Sequence, residues 1–204
     1  MRITGGNHRG RVLASPEGLQ TRPTSDRARQ AVFNILGHAG WATGASRPDK
    51  YSGALAPGGL LSDGFILDLF AGTGALGLEA LSRGAANAVF VEKDPNAART
   101  CQKNIDMLKI GAQSVLLKND ATAMTPRPAS LQPRTLVFLD PPYGKNLGAA
   151  ALKSAATRDW LADGAVCVFE MSKKEPEETP EGFTVMDERV YGVAMVRFLI
   201  FNAA

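Results

Sequence analysis

From residue 65 onward the chain alternates two kinds of segment, and that alternation leaves few folds open. Apolar runs of strand length are separated by amphipathic runs of helical length: FILDLF then ALGLEALSR, AVFVE then PNAARTCQKNIDMLK, SVLLKND then a short helix, TLVFLD then a helix near residues 147–159, and finally AVCVFE. Strands this apolar must be covered on both faces, and a helix between successive strands demands a crossover. The pattern therefore predicts β-α-β units with right-handed connections and a mostly parallel sheet. FTVMDERV and VAMVRFLIF follow without an intervening helix, which predicts an antiparallel hairpin at the sheet edge. The stretch between them and strand five, KKEPEETPEG, reads as a solvated turn. In an α/β sheet of this Rossmann-like kind, ligands belong at the carboxyl ends of the strands.

The 204 residues suit one domain with a small appendage. The appendage comes first: RIT-GGNHRG-RVLA predicts two short strands around a Gly-rich turn. RPTSDRARQAVFNIL then changes to helical spacing at Ala28, Val32, Ile35 and Leu36, with Thr24 or Ser25 as N-cap and Asp26 in the first turn. The expected division is an N-terminal hairpin and helix over 1–38, a loop over 39–62 and a catalytic domain over 63–204. The loop holds five Gly, two Pro and three Ser and has no sustained period.

No apolar run approaches the roughly 18 residues of a membrane span, and MRITGGNHRGR lacks the apolar stretch of a secretory signal, so a cytoplasmic monomer is expected. Cys101 and Cys167 lie far apart and His8 and His38 are isolated, so neither a metal site nor a disulfide framework is expected. Charge is uneven. Residues 1–38 carry Arg2, Arg9, Arg11, Arg22, Arg27 and Arg29 against Glu17 and Asp26, a net of +4 within a total of +3. Such a patch suits a polyanion, because guanidinium forks match phosphate oxygens.

DLFAGTGALGLEA places Gly72, Gly74 and Gly77 in G-x-G-x-x-G spacing between a strand and a helix, with Glu92 ending the next strand twenty residues after Gly72. The spacing alone fits a dinucleotide. Asp68, ending the first strand beside the loop, discriminates: a pyrophosphate there would meet a like charge, whereas S-adenosylmethionine offers an ammonium and a sulfonium. Glu92 can accept ribose hydroxyls. Asp120, in KND, is placed either for an adenine amine or as a cap for ATAM.

LVFLDPPYGK delivers a lone carboxylate, Asp140, into two prolines and a ring. An exocyclic nucleobase amine is a poor nucleophile because its lone pair is delocalised. Two acceptors aimed at its N–H groups, the Asp140 carboxylate and the Pro141 carbonyl, would hold it for direct methyl transfer, with Pro141 and Pro142 stiffening the loop and Tyr143 stacking on the base.

In order, RITGGNHRGR, TRPTSDRARQAVFNIL, DLFAGTGALGLEALSRGA and VFLDPPYGK resemble the bacterial 16S ribosomal RNA guanine-N2 methyltransferase family, over most of the chain. The resemblance implies an S-adenosylmethionine-dependent enzyme whose product is N2-methylguanine at the nucleotide conventionally numbered 966, within the small subunit or its assembly intermediate. It implies cofactor contacts from Asp68, Phe70, Gly72, Gly74, Glu92, Lys93 and Asp120, and acceptor contacts from Asp140, Pro141, Pro142 and Tyr143. Arg9, Arg11, Arg22, Arg27 and Arg29 are expected to face rRNA. Two departures are visible: His8 stands where an aromatic residue is expected before R-G-R, and the 39–62 loop is long. The rival readings are a DNA adenine-N6 or cytosine-N4 methyltransferase, a protein glutamine methyltransferase, an NAD-dependent oxidoreductase and a non-catalytic RNA-binding assembly protein. A DNA enzyme would need a sequence-reading domain for which there is little room, a glutamine enzyme carries Asn in place of Asp140, and an oxidoreductase leaves Asp68 and the tetrapeptide without a job.

Overall fold

The computed structural model describes residues 1–15, 26–39 and 60–203. Among them, β1 (Phe65–Leu69), β2 (Asn87–Val91), β3 (Ser114–Leu117), β4 (Arg134–Leu139), β5 (Leu161–Ser172), β6 (Phe183–Tyr191) and β7 (Ala194–Phe201) form one sheet, ordered β3-β2-β1-β4-β5-β7-β6. β1 to β5 pair in parallel, while β7 inserts antiparallel between β5 and β6. The helices are α1 (Asp26–His38), α2 (Ala75–Ser82), α3 (Pro95–Leu108) and α4 (Leu147–Thr157). This is the predicted Rossmann-like sheet with its antiparallel edge hairpin.

Local chemistry explains the element ends. α3 starts where the Asp94 carboxylate accepts the Asn96 and Ala97 N–H groups, with Pro95 in the first turn, and stops at Lys109 in the left-handed region. Its buried residues Ala97, Ala98, Cys101, Asn104, Ile105 and Leu108 recur at helical spacing and face the sheet. One apolar layer, including Phe33, Leu78, Phe90 and Phe138, covers one face of the sheet; a second, including Val137, Leu152, Trp160 and Phe169, covers the other. Each such side chain contributes roughly 1.5–3 kcal/mol by burial.

Two local expectations are corrected. β5 begins at Leu161, ahead of AVCVFE, because a register irregularity between Arg134 and Leu136 lets the turn-like LADG join the strand. The KKEPEETPEG segment is not wholly solvated. Glu177 is buried, its Oε2 accepts the Ala149 N–H at 2.9 Å, and its carbonyl accepts from Arg197 at 2.7 Å. A distant carboxylate thereby pins the start of α4, whose own N-cap Asn146 makes no side-chain cap.

The N-terminal extension shares the core of the sheet: Ile3, Leu13, Val32, Phe33 and Leu36 belong to the Leu78 and Phe138 layer. Its hairpin has an antiparallel bridge at Arg2 and Val12, with Ile3 N–H donating to the Arg11 carbonyl at 2.9 Å. It runs along α2. The turn docks at the helix C-terminus, where Asn7 and His8 N–H groups donate to the Ser82 carbonyl and Oγ. Gly6 is required there: at φ +73° its Cα faces the Ser82 carbonyl so closely that a Cβ would fall 1.7 Å from the oxygen.

The anchor is Glu79 on α2, fully buried. It accepts from Thr4 N–H at 2.7 Å, Thr4 Oγ1 at 2.8 Å and Arg83 Nε at 2.8 Å, with Arg29 Nε at 3.7 Å. A carboxylate this deep is tolerable because its lone pairs are taken.

Candidate active site

The order of the strands reverses between β1 and β4, and a switch of this kind opens a crevice at the carboxyl edge. Register then decides which side chains share it. Leu69 is level with Val91 and Leu139, Val91 with Leu117, and Leu139 with Phe169. The next residue on each strand is Lys118, Glu92, Phe70, Asp140 or Glu170, so these five emerge as a row, with neighbouring strands about 4.8 Å apart. Asp140 thus stands one strand from Phe70 and two from Glu92.

The glycine-rich loop is built by backbone shape and tied down by carboxylates. Phe70, Gly72 and Gly74 have φ of 57°, 56° and 80°, and a bulky aromatic residue in the left-handed region is a strained placement that the surroundings must hold. Glu92 Oε2 accepts the Gly72 N–H at 2.8 Å, and its Oε1 accepts the Asp94 N–H at 2.8 Å. Asp68 Oδ2 accepts the Gly77 N–H at 2.9 Å from beneath. Gly74 and Gly77 are packing glycines: a Cβ would lie 2.8 Å from Cys101 Sγ at the first and 2.4 Å from the Phe90 ring at the second. A Cβ at Gly72 would meet nothing closer than 3.9 Å, so that glycine faces open space.

Asp68 is 2% exposed, and burial, opposed by the Gly77 N–H and reinforced by the Glu92 charge, pushes its carboxyl up to about 8. The sign-of-charge expectation treated Asp68 as a fixed anion. At neutral pH it instead holds its proton much of the time, and an approaching cation favours ionisation. Asp120 takes the local role foreseen for it: Oδ1 accepts the Thr122 N–H and hydroxyl, capping the turn over Ala121–Ala123, while Oδ2 pairs with Lys93 Nζ at 3.0 Å. The Thr122 hydroxyl and N–H, with Lys93 adding to them, lower its carboxyl to about 2.

Across the switch, Asp140 is half-buried, Pro141 buried and Pro142 exposed. Gly144 (φ 74°) and Asn146 (φ 50°) turn the chain back into α4. Tyr143 Oη donates to Glu170 Oε1 at 3.0 Å, fixing the ring by its far end. Glu170 ends AVCVFE, so its place at a strand terminus was visible in the sequence, but its pairing with Tyr143 was not.

The arginines separate. Arg9, Arg11 and Arg27 are exposed, and Arg22 lies outside the described residues. Arg29 is corrected: at 1% exposure it points inward, bonded to the Arg2 carbonyl and paired with Glu79, and so cannot face rRNA. Helical spacing explains the error, since Arg29 follows Ala28 onto the buried side of α1. The hairpin turn carrying Arg9 sits beside Ser82, at the end of α2 away from the glycine-rich loop. His8 contributes its backbone N–H to that dock.

The family model described as Conserved hypothetical protein 95 matches residues 1–200. The chain belongs to that family. It is 34% identical over 198 residues to Ribosomal RNA small subunit methyltransferase D of Escherichia coli (strain K12), covering 97% of this chain and 88% of that one. The Haemophilus influenzae protein of the same name is 34% identical over 200 residues, covering 97% and 92%. The solved structure of yhhF from Escherichia coli superposes with a TM-score of 0.76 at 32% identity, covering 100% of this chain and 99% of that one. The family resemblance expected from the four motifs is thereby established along nearly the whole chain, and the fold with it.

Proposed function

We propose that this chain transfers the methyl group of S-adenosylmethionine to the exocyclic N2 of a guanine in 16S rRNA. The observation that carries the reading is the row at the carboxyl edge. Glu92 and the open side of Gly72 lie two strands and one strand from Asp140, so a cofactor laid over β1 and β2 ends beside the Asp-Pro-Pro-Tyr loop.

The residues fit that cofactor. Glu92, already oriented by two backbone N–H groups, retains lone pairs for ribose hydroxyls; Asp120 and Lys93 border the adenine end; Phe70, Gly72 and Gly74 shape the floor. Asp68 acts from below, holding α2 in place and ionising as positive charge arrives. When bound, the cofactor supplies an electrophilic methyl group. The protein's part is to hold the acceptor: the Asp140 carboxylate and Pro141 carbonyl take the two N–H groups of the guanine amine, and Asp140 receives or relays the proton. Tyr143, held by Glu170, stacks on the base, which must leave its own stack at a cost of a few kcal/mol. Arg9, Arg11, Arg22 and Arg27 bind rRNA phosphates in the small subunit or its assembly intermediate. The 1–38 segment is thus the RNA-binding part and 63–204 the catalytic part, and the protein works as a cytoplasmic monomer.

The test is transfer of labelled methyl to small subunits from a strain lacking this protein, followed by nucleoside analysis. Label in N2-methylguanine is expected; label in another nucleoside, or none, ends the proposal. Calorimetry that detects NADH and no S-adenosylmethionine would end it too. Replacing Arg9 and Arg11 with Ala is expected to weaken RNA binding and lower the slope of log affinity against log salt by about one to two.

A further inference from the structure

The glycine-rich loop is held by three side chains, and the sequence pointed to only two of them. Asp68 takes the Gly77 N–H and Glu92 the Gly72 N–H. The third is Asn104, in the last turns of α3, 0% exposed. Its Nδ2 donates to the Thr73 carbonyl at 2.9 Å, inside the loop itself. The same amide closes on the N-terminal strand: Nδ2 donates to the Ala14 carbonyl at 3.2 Å, and Oδ1 accepts the Ala14 N–H at 2.8 Å. One buried amide therefore satisfies both backbone groups of Ala14 and one of Thr73. Met1 Sδ, across the hairpin from Leu13, lies 4.0 Å from Thr73 Oγ1, a second contact between the same two segments.

A buried amide needs partners, but α3 could have carried an apolar residue here, as it does at Cys101 and Leu108. The particular partners matter. One belongs to the segment that approaches the cofactor, the other to the strand that continues from Arg11. We infer that Asn104 is a positioning residue that joins the RNA-facing N-terminal strand to the cofactor loop, so that binding of RNA and binding of cofactor strengthen each other. The inference rests on the proposed rRNA methyltransferase reading. Its physical basis is shared ordering: fixing the hairpin on RNA removes motion from Ala14, and through the amide from Thr73, so less ordering remains for the cofactor to impose. Coupling of this kind is reciprocal.

The experiment measures the dissociation constant of S-adenosylhomocysteine, which cannot react, with and without unmethylated small subunits. Wild type is expected to bind it more tightly with subunits present, by a factor within the usual range for coupled sites of about 5 to 150. Asn104→Ala is expected to bring that ratio close to one. Because Asn104→Ala also removes support from the loop, Ala14→Pro breaks the joint from the other side: its ring takes the place of the N–H and presses on Asn104 Oδ1, so strand and amide part without deletion of the amide. It should lower the ratio as Asn104→Ala does. Hydrogen exchange at the Thr73 and Gly74 amides gives an independent readout, with RNA-induced protection expected in wild type and lost in Ala14→Pro. A wild-type ratio of one, or a ratio unaltered by Ala14→Pro, overturns the inference, even where methyl transfer to subunits proceeds. Absence of methyl transfer by wild type overturns the underlying reading instead.

Discussion

The two halves of the carboxyl edge are held by different means. On the β1–β2 side the loop is shaped by its backbone, with three residues at positive φ, and by two carboxylates, Asp68 of β1 and Glu92 just past β2, that accept the Gly77 and Gly72 N–H groups. On the β4–β5 side the chain is stiffened covalently by two prolines, and the Tyr143 hydroxyl is tied to Glu170, side chain to side chain. On the proposed reading, the first side folds around the cofactor through hydrogen bonds that can adjust, and the second presents two acceptors from a backbone that proline keeps from relaxing.

That contrast predicts effects of different size and kind. Asp140→Ala should reduce methyl transfer by about a thousandfold with cofactor affinity retained, since it removes an acceptor used on the reacting amine; single-turnover transfer together with calorimetry checks this. If both fall together, the halves are not separate. Glu92→Ala removes charge-assisted bonds worth about 1.5–3 kcal/mol each and should weaken cofactor binding by about 10- to 100-fold, read by calorimetry, with little change in RNA affinity. Tyr143→Phe keeps the ring and loses the bond to Glu170, an effect of about 1 kcal/mol. It should cost about fivefold in kcat/KM for subunits.

The last prediction concerns stability rather than transfer, through Asp68. Its folded pKa is raised from 3.8 to about 8, so between those values the folded state keeps a proton the unfolded state has lost, and stability falls as pH rises through that window. Asp68→Asn should flatten the dependence of denaturation midpoint on pH between about 5 and 8; an unaltered slope would show that Asp68 does not titrate there.

Much of the chain from residue 65 onward was legible because it is written in local patterns. Apolar runs of strand length and helical spacing placed the seven strands and the helices α2, α3 and α4 between 65 and 201, apart from the early start of β5; the glycines marked a strand-to-helix turn, and Asp140–Tyr143 stood out by composition. Burial was harder to read. Arg29 looked like its exposed neighbours Arg27 and Arg9, and Glu177 looked like its acidic surroundings, yet each is turned inward by a partner remote in the chain.

Sequence by itself determined the layered sheet, the glycine-rich turn and the Asp-Pro-Pro-Tyr loop, because each depends on residues within a few positions of one another. Tertiary structure alone decided that Glu79 anchors Thr4 from 75 residues away, that Glu170 holds Tyr143, and that Asn104 closes on Ala14 across 90 residues. Such contacts obey no period. They arise where buried polar groups must find partners, and only the packed chain determines which partners lie within reach.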